Sequence, residues 1–199
     1  MVGCFHAVFL QDGKTKNMNS IDIFIQNYFS VSRTPFITEL MYILTSFFSV
    51  DDLMSGTRFV VIVLCIAVLI YLVRNLRYSI LFVVTLFSGA VITYLLKIFF
   101  NVSRPLDAVI IEITKSFPSY HATVATIFFV MLMYIFDDHL KSLARIIFNT
   151  FCVVCILLIA LSRMYLGVHW LSDVVGGIVL GSLISYIFAM VFSHFFRKP

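Results

Sequence analysis

Six apolar runs, separated by short polar stretches, constrain the fold of this chain more than any other feature. A helix needs about 20 mostly apolar residues to cross a bilayer, and only the first two runs are clearly shorter. Only helices and closed barrels satisfy every backbone polar group in lipid, and these runs are continuous rather than alternating. We therefore predict an all-α integral membrane protein, a bundle of six transmembrane helices. The predicted spans lie near Pro35–Val50, Phe59–Val73, Tyr78–Phe100, Ser119–Phe136, Leu143–Leu161 and His169–Phe196.

The composition excludes two other classes of protein. Hydrophobic residues make up 61% of the 199 residues and charged residues only 12%, whereas an ordinary soluble domain is roughly 25% charged. The net charge of +4 comes from basic residues scattered between apolar runs, without the basic stripe of a nucleic-acid-binding surface. We therefore expect the lipid bilayer as a partner and no nucleic acid, and the sequence leaves the oligomeric state open.

The chain carries no linker-like stretch, so we expect a single membrane domain behind a short N-terminal segment. Residues 1–34 are predicted to form a cytoplasmic or interfacial segment, in which Ile21–Phe29 has the pattern of an interfacial amphipathic helix. Residues 35–199 are predicted to form the six-span domain.

Lysine and arginine positions predict the orientation. With six spans and a cytoplasmic amino terminus, nine basic residues fall inside: Lys14, Lys16, Arg33, Arg74, Arg77, Lys141, Arg145, Arg197 and Lys198. Five fall outside: Arg58, Lys97, Arg104, Lys115 and Arg163. Cytoplasmic loops of membrane proteins carry the excess of positive charge. We therefore predict that both termini are cytoplasmic.

Three short polar clusters lie at the edges of the apolar runs, all on the predicted extracytoplasmic face. They are Lys97 with Arg104-Pro105, then Pro118-Ser119-Tyr120-His121, and finally Ser162-Arg163 with His169 and Asp173. Placing an ion inside a span costs about 2.5–3.5 kcal/mol on insertion scales, so such a gathering needs a compensating role. Three cations, two imidazoles and a carboxylate are suited to holding a phosphate and transferring it.

The third cluster has the spacing of an oriented nucleophile. His169 and Asp173 are four residues apart, which places them on one helical face about one turn from each other. A carboxylate that accepts from one imidazole nitrogen leaves the other nitrogen free to attack phosphorus. Ser119 adds a hydroxyl, and a helix beginning there would point backbone N–H groups at the same anion.

Together the clusters resemble the three signature motifs of the type-2 phosphatidic acid phosphatase superfamily, in order and in internal spacing. The resemblance implies that His169 is the nucleophile, that Asp173 is its partner and that His121 is the general acid. It also implies that the phosphate is bound without a metal or other cofactor. The expected phosphate-binding residues are Lys97, Arg104, Ser119, Tyr120 and Arg163.

Tyr120 is the one departure from the family pattern, which usually has glycine between the serine and the histidine. Glycine there lets its backbone N–H approach the phosphate closely. Tyrosine can still donate that N–H from an ordinary negative-φ conformation. We expect its ring to point toward the mouth of the site or toward the lipid.

The resemblance implies metal-independent hydrolysis of a phosphomonoester or diphosphate on a membrane lipid, through a phosphohistidine. Undecaprenyl diphosphate, phosphatidic acid, phosphatidylglycerol phosphate and lipid A are candidate substrates, and the motifs do not separate them. Alternatives are a lipid phosphotransferase that uses the same site and an inactive phospholipid binder or transporter. The expected location is a bacterial inner membrane with an extracytoplasmic active site, the alternative being an endomembrane lumen.

The last apolar run also carries small residues at every fourth position, including Gly177 and Gly181. Small residues at this spacing let helices pack closely in a membrane. We expect the last span to be central in the bundle and to hold His169 and Asp173 rigidly.

Overall fold

The computed structural model describes residues 19–48 and 53–196, and this part of the chain contains seven α-helices. They are α1 (Ser20–Ser32), α2 (Pro35–Ser46), α3 (Leu53–Val73), α4 (Leu76–Phe100), α5 (Tyr120–Phe136), α6 (Ser142–Tyr165) and α7 (Leu171–Phe196).

Local sequence signals explain where several helices begin and end. Thr34 caps α2 and Pro35 occupies its first turn, where a missing N–H costs nothing. Asn75 caps α4 through its side-chain oxygen, which accepts from two first-turn amides. Asn101 ends α4 in a left-handed conformation with φ of 52°, and its N–H donates to the carbonyl of Lys97.

Four helices are long and apolar enough to cross a membrane, as an integral membrane protein requires. These segments are Met54–Val73, Leu76–Phe100, Ser142–Tyr165 and Leu171–Phe196. The apolar helix α5 is shorter, at 17 residues, or about 25 Å.

The helices α3 to α7 run in alternating directions between two ends of the bundle. At one end lie Lys97 in the last turn of α4, Ser119 at the start of α5, Arg163 in the last turn of α6 and His169 just before α7. We call this the polar end. At the opposite end α3 finishes beside α5, where Arg74 pairs with Asp138 at 3.4 Å.

The contact between α5 and α7 is close because α7 presents small residues to it. A Cβ atom at Gly177 would lie 2.8 Å from the carbonyl oxygen of Ser119, and one at Gly181 would lie 2.7 Å from that of Thr123. The predicted close packing of the last helix is thus confirmed. The most enclosed helix, however, is α5, which packs against α4, α6 and α7.

The N-terminal helix α1 lies across the polar end. Asp22 accepts hydrogen bonds of 2.8 Å from both the backbone N–H and the hydroxyl of Ser172, at the start of α7. Arg33 donates to the carbonyl of Tyr165, at the end of α6, over 2.9 Å. Arg33 therefore belongs to the face that carries the polar clusters, and its predicted placement on the opposite face is wrong.

The helix α2 also stays at the polar end. Its first residues contact α6 where the Thr34 N–H donates to the Tyr165 hydroxyl over 2.9 Å, and near its end Thr45 accepts from Arg163 over 2.8 Å. With 12 residues, or about 18 Å, α2 is also too short for a bilayer core of about 30 Å. The predicted span Pro35–Val50 is therefore wrong.

These contacts correct the predicted topology for the described residues. Five helices, α3 to α7, run between the two ends, where six spans were predicted. Asn19 lies at the polar end and Phe196 at the opposite end, so the described chain does not begin and end on one side of the bundle. The physical reason is that an apolar run can pack along the end of a bundle as well as cross lipid. Residues 1–18 lie outside the described part.

Candidate active site

Side chains from all three polar clusters meet at the polar end. Arg104 approaches His169 with 3.1 Å between Nη1 and Nε2, and the N–H of Ser119 donates to the carbonyl of Asp173 over 3.0 Å. His121 lies within electrostatic range of Lys97, Arg104, Arg163 and His169. The predicted site residues are thus brought together by α4, α5, α6 and α7.

Asp173 is held in place by contacts to one of its oxygens. Oδ2 accepts from the backbone N–H of Trp170 over 2.8 Å and from the hydroxyl of Ser116. The same oxygen lies 3.4 Å from Nδ1 of His169. This contact is long, but it leaves Nδ1 directed toward the carboxylate. The network assigns the proton of His169 to Nδ1, because Nε2 faces an arginine that can only donate.

The environment of His169 keeps its imidazole neutral. Burial and, next, the nearby Arg104 guanidinium lower the pKa of His169 well below its ordinary value. A neutral ring protonated on Nδ1 has its lone pair on Nε2, on the side that faces the arginines. This is the form that a nucleophilic histidine needs.

Arg104 is anchored by the backbone around it. Nε donates to the carbonyl of Thr114 over 2.7 Å, and Nη1 donates to the carbonyl of Val168 over 2.7 Å. Nη2 donates to the Thr114 hydroxyl over 3.0 Å and to the Lys115 carbonyl over 3.2 Å. The guanidinium therefore has a fixed orientation beside His169.

Lys97 is buried and does not extend to the membrane surface. Its ammonium donates to the carbonyls of Lys115 and Ser116, over 2.5 Å and 3.3 Å. These hydrogen bonds join the segment before α5 to the end of α4, and they hold a positive charge close to the other site residues.

The start of α5 presents polar atoms that have no hydrogen-bond partner among the described residues. They are the hydroxyl of Ser119 and both ring nitrogens of His121, in side chains that are almost fully buried. The first backbone N–H groups of any helix also lack partners within that helix. Buried polar atoms are normally paired, so this group is suited to receiving an anion.

Tyr120, the departure from the family pattern, is the first residue of α5. Its ring is half-buried and packs against the apolar core on one side, and the expectation that it points toward the site mouth or the lipid stays a prediction. The position of Tyr120 leaves its backbone N–H in the first turn of α5, among the N–H groups that lack a partner within the helix.

Glu112 is a residue of the site that sequence reasoning missed. Its carboxylate pairs with Arg104, with 2.5 Å between Oε2 and Nη2, and also with Arg163. Oε2 lies 4.0 Å from Nε2 of His169. The one available signal was a lone acidic residue between two isoleucines, in the segment that joins the first two polar clusters.

The sequence of the described helices also matches a family model, that of the PAP2 superfamily, over residues 77–197. This range includes all three polar clusters and most of the helical bundle. The chain belongs to the PAP2 superfamily. The family resemblance drawn from the motifs is thereby confirmed.

Other members of the PAP2 superfamily are similar to the chain. Over 96 residues it is 33% identical to phosphatidylglycerophosphatase B of Bacillus subtilis (strain 168). That match covers 47% of each protein, so the chain spans about half the length of this curated relative.

Two solved structures have a similar fold. The crystal structure of the first transmembrane PAP2 type phosphatidylglycerolphosphate phosphatase from Bacillus subtilis superposes with a TM-score of 0.81 and 23% identity. That match covers 92% of this chain and 91% of the other. For Aquifex aeolicus LpxE the TM-score is 0.65 and the identity 17%, over 86% of this chain and 96% of the other. These matches establish the PAP2 fold of the bundle.

Proposed function

We propose that this PAP2 protein hydrolyses a phosphomonoester or diphosphate of a membrane lipid through a phosphohistidine. The observation that carries the proposal is the placement of His169. Its Nδ1 faces Asp173, while its Nε2 faces Arg104 and lies 4.0 Å from a carboxylate that two arginines bind. An anion bound by those arginines is within reach of a nucleophilic nitrogen.

The reaction follows from this geometry. Arg104, Arg163 and the first turn of α5 bind the non-bridging oxygens, and Lys97 adds positive charge. Nε2 of His169 attacks phosphorus, the bond from phosphorus to the lipid oxygen breaks, and His121, which enters this step as an imidazolium, donates a proton to that oxygen. Water then attacks the phosphorus of the phosphohistidine, and His121 takes a proton from that water. The bond from phosphorus to Nε2 breaks, which releases phosphate and restores His169.

Preorganised positive charge is the main source of catalysis in this proposal. Negative charge is spread over the phosphoryl oxygens in the transition state, and fixed donors stabilise it in a water-poor site. No cofactor is invoked, because the cationic side chains and helix amides can fill the role that a metal ion fills elsewhere.

The distribution of basic residues supports an extracytoplasmic site. Arg74, Arg77, Lys141 and Arg145 lie at the end of the bundle opposite the site. The polar end carries Arg33, Arg58 and Lys115 once the buried cations of the site, Lys97, Arg104 and Arg163, are set aside. Counted in this way, the positive-inside rule favours a cytoplasmic position for the end opposite the site, by four basic residues to three. We therefore propose the outer face of a bacterial inner membrane as the location of the active site.

Among the candidate substrates we favour phosphatidylglycerol phosphate. The support is the similarity to a Bacillus subtilis sequence and to a Bacillus subtilis crystal structure, both named as phosphatases of this lipid. Phosphatidic acid, undecaprenyl diphosphate and lipid A remain the comparison substrates.

The experiment is a phosphate-release panel with the four lipids, purified protein and excess EDTA. We expect release from at least one lipid without an added acceptor, inhibition by vanadate, and the highest kcat/KM for phosphatidylglycerol phosphate. Release only when an acceptor is supplied would identify a phosphotransferase. No turnover of any lipid would leave a phospholipid binder or transporter, and loss of activity in EDTA that magnesium restores would refute the metal-independent reaction.

A further inference from the structure

We propose that Glu112 is an internal anion that competes with the substrate phosphate for the same arginine donors. The inference rests on the proposed function, since it takes the arginine pair as the phosphate-binding site. Binding of the lipid phosphate then requires the Glu112 carboxylate to leave, so this side chain sets the affinity of the site for phosphate.

The contacts of Glu112 place its carboxylate where a phosphate would bind. One oxygen pairs with Arg104 at 2.5 Å and the other pairs with Arg163. The first oxygen is 4.0 Å from Nε2 of His169, close to the separation of about 3–3.5 Å between reacting atoms in a near-attack geometry. The side chain is only 5% exposed, so the contact is an enclosed one.

Glu112 is not needed to hold Arg104 in place. The carbonyls of Thr114, Lys115 and Val168 and the hydroxyl of Thr114 already orient this guanidinium. Arg163 also donates to Thr45 over 2.8 Å. If Glu112 only positioned these arginines, it would repeat contacts that the surrounding chain already makes. As an internal ligand it would instead occupy the N–H donors that a phosphate uses.

Electrostatics forbids both anions from occupying the arginine pair together. A phosphate that receives hydrogen bonds from Arg104 and Arg163 would bring its oxygens against the Glu112 carboxylate, inside a buried site where like charges repel strongly. Without phosphate, the same carboxylate compensates two buried cations that would otherwise be costly. Glu112 therefore stabilises the protein and weakens phosphate binding through one contact.

The segment that carries Glu112 can release it by a local movement. Residues 102–118 form no helix, and the flanking Ile111 and Ile113 are 91% and 98% exposed. Only the central side chain of these three points into the site. The bonds that flank it are Val109 N–H to the Leu166 carbonyl and the Arg104 guanidinium to the Thr114 carbonyl, so the movement is confined to residues 110–113 and both bonds are kept.

The experiment compares orthophosphate binding to detergent-purified wild type and Glu112→Gln, measured by calorimetry. Glutamine keeps the size of the side chain and removes its charge. We expect the Kd for orthophosphate to fall about tenfold, within the usual range of coupling between two ligands. KM for the lipid should fall in parallel. A positioning residue would give the opposite result, a higher Kd and KM, and an unchanged Kd would equally overturn the proposal.

Asp107→Asn is the matched control. Asp107 is a carboxylate of the same segment, but it pairs with Arg33 at 3.1 Å and not with the arginines of the site. This variant removes the same charge and should change the Kd by less than about twofold, because surface charges are screened over about 10 Å. An equal effect in both variants would mean that net charge alone acts, which would refute direct competition.

Stability gives a second readout. Glu112→Gln should unfold at a lower temperature than wild type, and added orthophosphate should raise its Tm more than that of wild type, since at a given concentration a ligand stabilises the folded state more when its Kd is lower. If Glu112→Gln does not fold even with phosphate present, Glu112→Asp carries the same test. Its shorter side chain keeps the charge but loosens the contact, so the Kd should again fall.

The two proposals can fail separately. Tighter phosphate binding in Glu112→Gln without turnover of any lipid would refute the phosphatase and keep the competition. Lipid turnover by wild type, with no gain of phosphate affinity in Glu112→Gln, would keep the phosphatase and refute the competition.

Discussion

In the proposed mechanism the chemistry depends on His169, because one ring nitrogen must attack phosphorus while the other donates to a carboxylate. Nδ1 faces the carboxylate of Asp173 at 3.4 Å, and Nε2 lies 3.1 Å from the Arg104 guanidinium. The arginine contact must loosen when phosphorus approaches Nε2. The contact to Asp173 must tighten, because the ring becomes positively charged in the phosphohistidine.

Removal of the nucleophile should abolish turnover. We expect His169→Ala to release no phosphate above background, and Asp173→Asn to lose activity on the scale of 10⁴-fold, as for the wrong tautomer in a catalytic triad. Phosphate release from the preferred lipid is the measurement. His139→Ala, a change of an exposed histidine at the opposite end, is the control and should keep full activity. Residual turnover of more than a few per cent in His169→Ala would contradict the mechanism.

Tyr120 gives a second prediction at the level of single residues. Because its ring packs against the core and its backbone N–H lies in the first turn of α5, Tyr120→Phe should keep activity within about threefold. Tyr120→Gly should also turn over lipid but melt at a lower temperature, since it removes a packed ring. Activity and Tm of both variants are the measurements. A loss of 10²-fold in Tyr120→Phe on every lipid would instead make the hydroxyl an essential donor.

Among the elements, the pair α5 and α7 holds the catalytic groups at a fixed distance. The helix α5 carries Ser119 at its N-cap and His121 in its first turn, while α7 carries Asp173 in its own first turn. Their close contact joins these groups across one helix interface. Rigid secondary structure is the usual way to hold a catalytic geometry to within fractions of an ångström.

This interface should not tolerate a larger residue at Gly181. The Cβ of Gly181→Ala would lie 2.7 Å from a backbone oxygen of α5, so the helices must separate. We expect a loss of about 1–3 kcal/mol in stability, typical of overpacking, together with reduced activity. Thermal unfolding in detergent measures the first. Val179→Ala, at a position 61% exposed on the same helix, is the control. Equal Tm values for Gly181→Ala and wild type would contradict the packing argument.

For the whole molecule, the arrangement of the two N-terminal helices decides the topology. Their contacts with Tyr165, Arg163 and Ser172 place them at the polar end. The helices α1 and α2 must therefore lie on the same side of the membrane as the site. This distinguishes the structure from a bundle in which Pro35–Val50 crosses the membrane.

Single cysteines test this topology in a variant without the four native cysteines. We expect Asn27→Cys and Lys115→Cys to react with an impermeant thiol reagent added outside intact cells, because both positions are exposed at the polar end. Lys141→Cys, exposed at the opposite end, should react only after the membrane is opened. Labelling of Lys115→Cys but not Asn27→Cys from outside would restore the six-span topology. Labelling of Lys141→Cys alone would place the site in the cytoplasm.

The sequence alone determined the membrane character of the protein, its family and the motif residues that gather in the site, but not Glu112. Long apolar runs are local features, and in lipid they must be helices. The spacing of His169 and Asp173 is equally local, since His169 lies two residues before α7 and Asp173 lies in its first turn. The helical ends that carry Lys97 and Arg163 follow from the order of the apolar runs.

Only the tertiary structure decided the features that depend on contacts far apart in the chain. The hydrogen bond that keeps α2 at the polar end joins Thr45 to Arg163, 118 residues away, and Glu112 meets Arg163 across 51 residues. An apolar run has the same hydropathy whether it crosses lipid or packs along the end of a bundle. A lone carboxylate in an irregular segment likewise has no periodicity that reveals its partner, so its place between two arginines depends on how the helices pack.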